Sequence, residues 1–357
     1  MESLRNLPLL PTMGVGSHAA PGWLFSFREA MRAGKAGPAD VDEAYGDATR
    51  NAIADQIQAG MDVFSDGELT RDRFVYAMYD RLEGLTRQSV ARRLGVPGYD
   101  RTPGYVADER VQAPKGLGLV EDYLFLKREV VRQLGEEAAA TRLKMALPGP
   151  ITFVRSIRAG AAYAGEAEPQ HALLADLVAI IRAEVQALAD AGCPLVQLDE
   201  PGLTYPSDWL GQMDSVAAIN QVGEAAPGRF LVHVCFGNNA SRPYTPRDFD
   251  SLQPALAGLK AEWLVLEFAN REMAGLDLVA GLDNPAKIAA GVVDVKNFHL
   301  ETADEVARRV ERVLAAGIPA EKLALTADCG LSAIPRWLGV RKLEALAAGA
   351  QLVRGRV

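Results

Sequence analysis

A (β/α)8 barrel of the α/β class is the fold that this 357-residue sequence predicts. Two observations carry that expectation. Eight short apolar runs recur, most of them ending in Gly, Pro or Asn, and long amphipathic stretches separate them. Strands alternating with helices make a parallel sheet, because each parallel crossover lays a helix over the sheet. Eight such units favour a closed barrel over an open sheet. The chain is long enough to bury a core of that size as one domain spanning 1–357.

In order, the runs are LPTMGVGS (10–17), MDVFSDGE (61–68), LKMALPGP (143–150), PLVQLDEP (194–201), RFLVHVCFG (229–237), WLVLEFAN (263–270), GVVDVKN (291–297) and KLALTADCG (322–330). The first two are the weakest as strands, since Pro8 and Pro11 sit at or near the first and proline has no N–H for a ladder. Between the runs, 40–60, 170–192 and 303–317 place apolar residues three and four apart, the spacing of a helix face. One stretch breaks the rhythm. Residues 86–116 are rich in Gly, Pro and Arg without a clear period, and read as an insertion at about 86–120. A segment of that length is either a lid or binding loop, or packs on the barrel side.

A formal net charge of −8 argues against a nucleic-acid or anionic-membrane surface. Three cysteines, at 193, 235 and 329, are too few and too scattered for a disulfide framework. The N-terminus carries an acid and two prolines rather than a secretory signal, and no run approaches the ~20 apolar residues of a membrane span. A cytoplasmic enzyme is the expectation. Nothing in the sequence indicates the oligomeric state.

In a barrel of this type the chemistry gathers at the carboxyl ends of the strands. Seven runs end there in reactive or strongly polar residues: Ser17, Asp66 with Glu68, Asp199 with Glu200, His233 with Cys235, Glu267, Asp294 with Lys296, and Asp328 with Cys329. Such groups are costly to bury singly, so one shared polar pocket is expected. His233 and Cys235 lie two apart and share a strand face. With Glu267 and Cys329 they offer an imidazole, two thiolates and a carboxylate, a mixture suited to zinc. Packing is the alternative for each residue alone, because cysteine is a common small core residue. Cys193 precedes Pro194 at the opposite strand end and reads as packing. GVGSHA (14–19) fits the loose Gly-x-Gly-x-x-Gly/Ala fingerprint, but prolines interrupt its strand and Pro21 follows at once, which argues against dinucleotide binding.

With these residues in hand, the sequence resembles the catalytic half of cobalamin-independent methionine synthase, and most of all the short, single-barrel members of that superfamily. The matching stretches are LPTMGVGS, AGMDVFSDGELTRDRFV, LPGPIT, VQLDEPGL, HVC and DCGL, in order between about residues 9 and 354. The resemblance implies a barrel enzyme with a Zn2+ cofactor held by His233, Cys235, Glu267 and Cys329. It implies that Ser17, Glu68 and Asp199 hold the carboxylate and ammonium of homocysteine. The implied reaction is methyl transfer to that thiol, held as a zinc-bound thiolate. Two departures stand out. DVKN replaces the family's DIHS, so Lys296 stands in for a histidine thought to act as a general acid, with His299 nearby. FVRSIR replaces a tryptophan-containing segment linked to folate. The donor is therefore open among methyl-folate, methylcobalamin and a corrinoid protein. Arg71, Arg73 and Lys296 are candidates to meet an anionic donor. The competing expectations are an alkyltransferase of the epoxide:coenzyme M type and a metal-free barrel related to uroporphyrinogen decarboxylase.

Overall fold

The computed structural model describes residues 7–71, 75–89, 103–205, 207–238, 242–243 and 245–357. Its strands are β1 (Glu83–Arg87), β2 (Tyr105–Gln112), β3 (Lys144–Pro148), β4 (Ile157–Ala159), β5 (Leu195–Asp199), β6 (Phe230–Val234), β7 (Trp263–Glu267), β8 (Lys287–Val293) and β9 (Leu323–Ala327). Strands β3, β5, β6, β7, β8 and β9 form one parallel sheet in that order. Three parallel bridges complete the ring: Thr12 with Leu325, Met13 with Val63, and Phe64 with Leu143. Eight parallel chain segments thus close on themselves, as a (β/α)8 barrel requires.

The first two staves are only bridges, and the reason is local. Pro11 can accept a ladder bond from Leu325 N–H at 2.8 Å but has no N–H to return. The seventh run is shifted instead. The strand covers Lys287–Val293 rather than 291–297, because Ile288 is the one β-branched residue in the alanine-rich start of β8.

Strand alternation separates two cores. Val196, Leu198, Val232, Val234, Leu264 and Leu266 pack outward with the helices in the large core, whereas Leu195, Leu231, Trp263 and Val265 belong to a separate inner cluster with Met13 and Val63. The inner cluster plugs the barrel's lower half. Continuing each inward series upward gives Gln197 and Asp199 on β5, His233 and then Cys235 on β6, and Glu267 on β7. Polarity therefore rises toward the carboxyl ends.

The expected insertion is more regular than its sequence indicates. β1 and β2 pair antiparallel, β2 pairs parallel with β4, and Arg110 of β2 reaches Asp176 on the helix Pro169–Asp190. Its structural signal is the burial of Tyr105, Ala107 and Val111, which flanking Gly and Pro obscure in the sequence. Residues 90–102 of that segment lie outside the described residues. Among the described residues, no helix is long and apolar enough to cross a membrane.

Glu200 ties two loops at the barrel mouth. Its carboxylate accepts from Ile151 N–H at 3.0 Å and Thr152 N–H at 2.7 Å, and from the Thr152 hydroxyl. Gly149 is required beside it, since a Cβ there would fall 2.1 Å from Glu200 Oε2. The GPIT and DEP stretches are thereby one structural unit. Glu200→Ala leaves two backbone donors without their acceptor, and we expect a loss of about 3 kcal/mol in stability. Guanidinium unfolding monitored by circular dichroism measures it, and an unchanged midpoint would refute the role.

Candidate metal centre

His233 and Cys235 reach the barrel mouth from β6, and Cys329 reaches it from just beyond β9. One ligating atom of each lies within 4.8 Å of the other two. The two sulfurs are 3.7 Å apart. His233 Nδ1 lies 3.1 Å from the Val265 carbonyl, which can only accept, so Nδ1 carries a proton and Nε2 is the nitrogen left for a metal. That Nε2 is buried and has no hydrogen-bond partner among the described residues. A carbonyl orienting an otherwise unpartnered imidazole beside two thiols is the arrangement a metal-ligating histidine adopts. The donor set fits zinc and does not fit a hard cation. The hydrogen bond between the two sulfurs pulls Cys329 well below the ordinary thiol value and pushes Cys235 well above it.

Glu267 stands apart from this trio. Its Oε2 accepts from the Lys296 ammonium at 2.5 Å and from Phe236 N–H at 3.3 Å. Its Oε1 is buried with no hydrogen-bond partner among the described residues. Burial disfavours the Lys296 charge, but Glu267 and the two thiols outweigh it and raise the ammonium above its usual value. The geometry thus groups three of the four expected ligands and pairs the fourth with lysine. His299 is not brought to this site. It lies on the surface, its Nε2 3.2 Å from Glu305 Oε1, at the start of the helix Ala303–Ala315.

A second polar group adjoins the trio. The β5–β6 register aligns Asp199 with His233. Asp199 Oδ1 accepts from Gln197 Nε2 at 2.6 Å, and Gln197 Oε1 accepts from Lys144 Nζ at 2.6 Å. Lys144 also donates to the Val15 carbonyl at 2.8 Å and to that of Gly14. Burial lowers the Lys144 ammonium to about 8. Glu68 faces this network from a left-handed backbone, φ 57°, directly after Gly67 at φ 71°. Its Oε1 lies where any Cβ at position 16 would fall 2.2 Å away, which accounts for Gly16. Burial pushes Glu68 up to about 8, with Asp199 and Asp66 adding to the rise and Arg71 opposing it. Arg71 is buried, 3.6 Å from Glu68 and bonded to the Ala146 carbonyl, so it balances charge inside the mouth. Arg73 lies outside the described residues.

Ser17 closes the arrangement. Its carbonyl accepts from Leu331 N–H at 2.7 Å, and its hydroxyl occupies the space a Cβ on Gly330 would need. Asp328 accepts from the N–H groups of Phe268, Ala269 and Asn270 at 2.8, 2.9 and 2.6 Å, locking the Glu267 loop to the Cys329 loop. Lys144, Gln197 and the clamping role of Asp328 go beyond the strand-end residues that the sequence points to. The available signal was Lys144, a lone charge inside an apolar run.

Comparison with known proteins bears on the family and the fold. The family model described as "Cobalamin-independent synthase, Catalytic domain" matches residues 10–351. A methionine synthase of Saccharolobus solfataricus is 28% identical over 351 residues, covering 98% of this chain and 97% of that protein. One from Sulfurisphaera tokodaii is 30% identical over 357 aligned residues, covering 98% and 94%. A B12-independent methionine synthase from Shewanella sp. W3-18-1, solved with selenomethionine, superposes with a TM-score of 0.79 at 26% identity over 98% of each chain. A putative vitamin-B12 independent methionine synthase from Listeria monocytogenes shares the fold, with a TM-score of 0.68 at 20% identity over 97% and 98%.

Removing one sulfur should expose the centre's dependence on it. We expect the protein to take up one equivalent of Co2+ with thiolate charge-transfer absorption. Cys329→Ser should weaken that uptake by more than about a hundredfold, beyond what outer-shell changes cost. Equal affinities in a chelator competition would exclude Cys329 as a ligand.

Proposed function

The chain belongs to the cobalamin-independent methionine synthase family, and from that premise we propose that it is a zinc-dependent homocysteine S-methyltransferase. The observation that carries the reading is the His233–Cys235–Cys329 trio, with Asp199 aligned beside His233 and Glu68 facing it. Zn2+ held by His233 Nε2 and the two sulfurs would keep an incoming thiol as its thiolate at neutral pH, the nucleophile that methyl transfer needs.

This chain's own residues do the rest. Glu68 and Asp199 receive the ammonium of the amino-acid thiol, and Ser17 receives its carboxylate. Asp199 is held in place by Gln197 and Lys144, so it offers its charge without reorganising. The inner apolar plug below keeps water from the floor of the mouth. Lys296, paired with Glu267, supplies positive charge beside the sulfurs. His299, at the surface, anchors the start of the helix that follows it. The methyl group comes from a separate donor, with a corrinoid protein among the candidate carriers. A sulfonate thiol such as coenzyme M suits the mouth poorly, because two buried acids have no ammonium to meet there. A metal-free barrel leaves the orphaned His233 Nε2 without a task.

The central test is X-ray absorption at zinc with and without homocysteine. The sulfur count should rise by one, and an unchanged count would sink thiol activation. A screen of methyl-folate, methylcobalamin and a methylated corrinoid protein then names the donor.

A proton balance checks the ammonium site. Glu68 sits at about 8 in the free protein and is largely protonated at pH 7. An ammonium beside it favours the carboxylate, so homocysteine binding at pH 7 should release protons, and affinity should rise as pH approaches 8. Calorimetry in two buffers of different ionisation heat reads the release. Glu68→Gln should reduce it to the proton lost by the thiol itself and weaken binding by about tenfold. A release of the same size in Glu68→Gln assigns the additional proton elsewhere.

A further inference from the structure

Glu267 is claimed from two sides. Its Oε2 is engaged by Lys296 and by Phe236 N–H, while its Oε1 stays buried and unpartnered among the described residues. Both side chains are withdrawn from solvent, Lys296 to 4% exposure and Glu267 to 0%. An ammonium at that depth depends on its counter-ion, and taking the carboxylate away strands a buried charge. The three atoms that can share an ion come together without Glu267. The charges also balance in two separate groups. Two thiolates neutralise a divalent cation, and Lys296 neutralises Glu267, so no fourth anionic ligand is needed.

We propose that Lys296 is a positioning residue that holds Glu267 off the metal, leaving three protein ligands and reserving the fourth position for the thiol substrate. This inference rests on the zinc-binding reading above and changes its ligand set. Three protein ligands with one exchangeable position is the pattern of catalytic rather than structural zinc. An arriving thiol then displaces water instead of a carboxylate.

The test compares wild type with Lys296→Met, Lys296→Arg and the Lys296→Met/Glu267→Gln double variant, which removes the carboxylate without stranding the ammonium. Zinc affinity is read by chelator competition, and the ligand field by visible absorption of the Co2+ form. The double variant should hold zinc within about threefold of wild type and keep its Co2+ spectrum. Lys296→Met alone frees the carboxylate. It should tighten zinc by about tenfold, alter the Co2+ spectrum and weaken homocysteine binding. Lys296→Arg should resemble wild type throughout. A loss of about tenfold or more in the double variant overturns the proposal, and so does a Lys296→Met protein indistinguishable from wild type. The double-variant measurement decides by itself if Lys296→Met fails to fold. Failure to take up stoichiometric zinc, or uptake indifferent to Cys329→Ser, defeats the functional reading. Normal uptake with a costly double variant defeats only the role given to Lys296.

Discussion

Every second side chain of a closed parallel barrel must enter an interior that water does not fill, and this constraint organises the protein. In the lower half it is met by apolar packing of Leu195, Leu231, Trp263 and Val265. In the upper half the same alternation delivers Gln197, Asp199, His233 and Glu267, which must be satisfied by one another. Much of that satisfaction is visible. Lys144 bonds Gln197 and two carbonyls of the first stave, Gln197 bonds Asp199, and Lys296 bonds Glu267. The orphaned atoms at the mouth are then informative. His233 Nε2, Glu68 Oε1, Glu267 Oε1 and both Asp66 oxygens are buried without partners among the described residues. Native interiors leave few such atoms unpaired unless a bound group completes them.

The buried charges form a near-balanced set, which explains how the barrel tolerates them. Asp66, Glu68, Asp199 and Glu267 face Lys144, Arg71 and Lys296 within the same mouth. The acids are in excess, and burial raises each of them. A cationic ligand group or a metal ion relieves that excess. Binding and stability are therefore coupled in one direction: a ligand that brings positive charge also strengthens the fold.

The barrel and most of its site were legible in the sequence, because strand-end polarity survives as a pattern of residue types. His233, Cys235, Cys329, Asp199, Glu68 and Ser17 all fall in or beside one mouth. The misses have physical causes. Lys144 and Gln197 sit inside strands, where a polar residue reads as interruption rather than as part of an interior network. The start of β8 was hidden because Ile288–Ala290 has the composition of a helix end, and its strand state is imposed by pairing with β7 and β9. His299 was near Lys296 in sequence, but the turn after β8 points it to solvent, where Glu305 takes it. Proximity along a loop says little about which side of the loop a side chain leaves from.

Adjacent polar pairs at the strand ends show how one mouth serves both architecture and chemistry. Asp199 and Glu200 are consecutive acids, yet the alternation sends the first inward beside His233 and the second to the GPIT loop. Asp328 and Cys329 divide in the same way: the acid clamps the Glu267 loop with three backbone bonds, and the thiol joins the trio. The clamp has its own condition. A Cβ on Gly291 of β8 would lie 2.5 Å from Asp328 Oδ1, so the strand between the two loops must carry glycine there. In each pair the structural member fixes the loop from which the reactive member acts. The reactive groups can therefore remain unsatisfied without the mouth collapsing onto them, and a site with open valences persists in a packed interior.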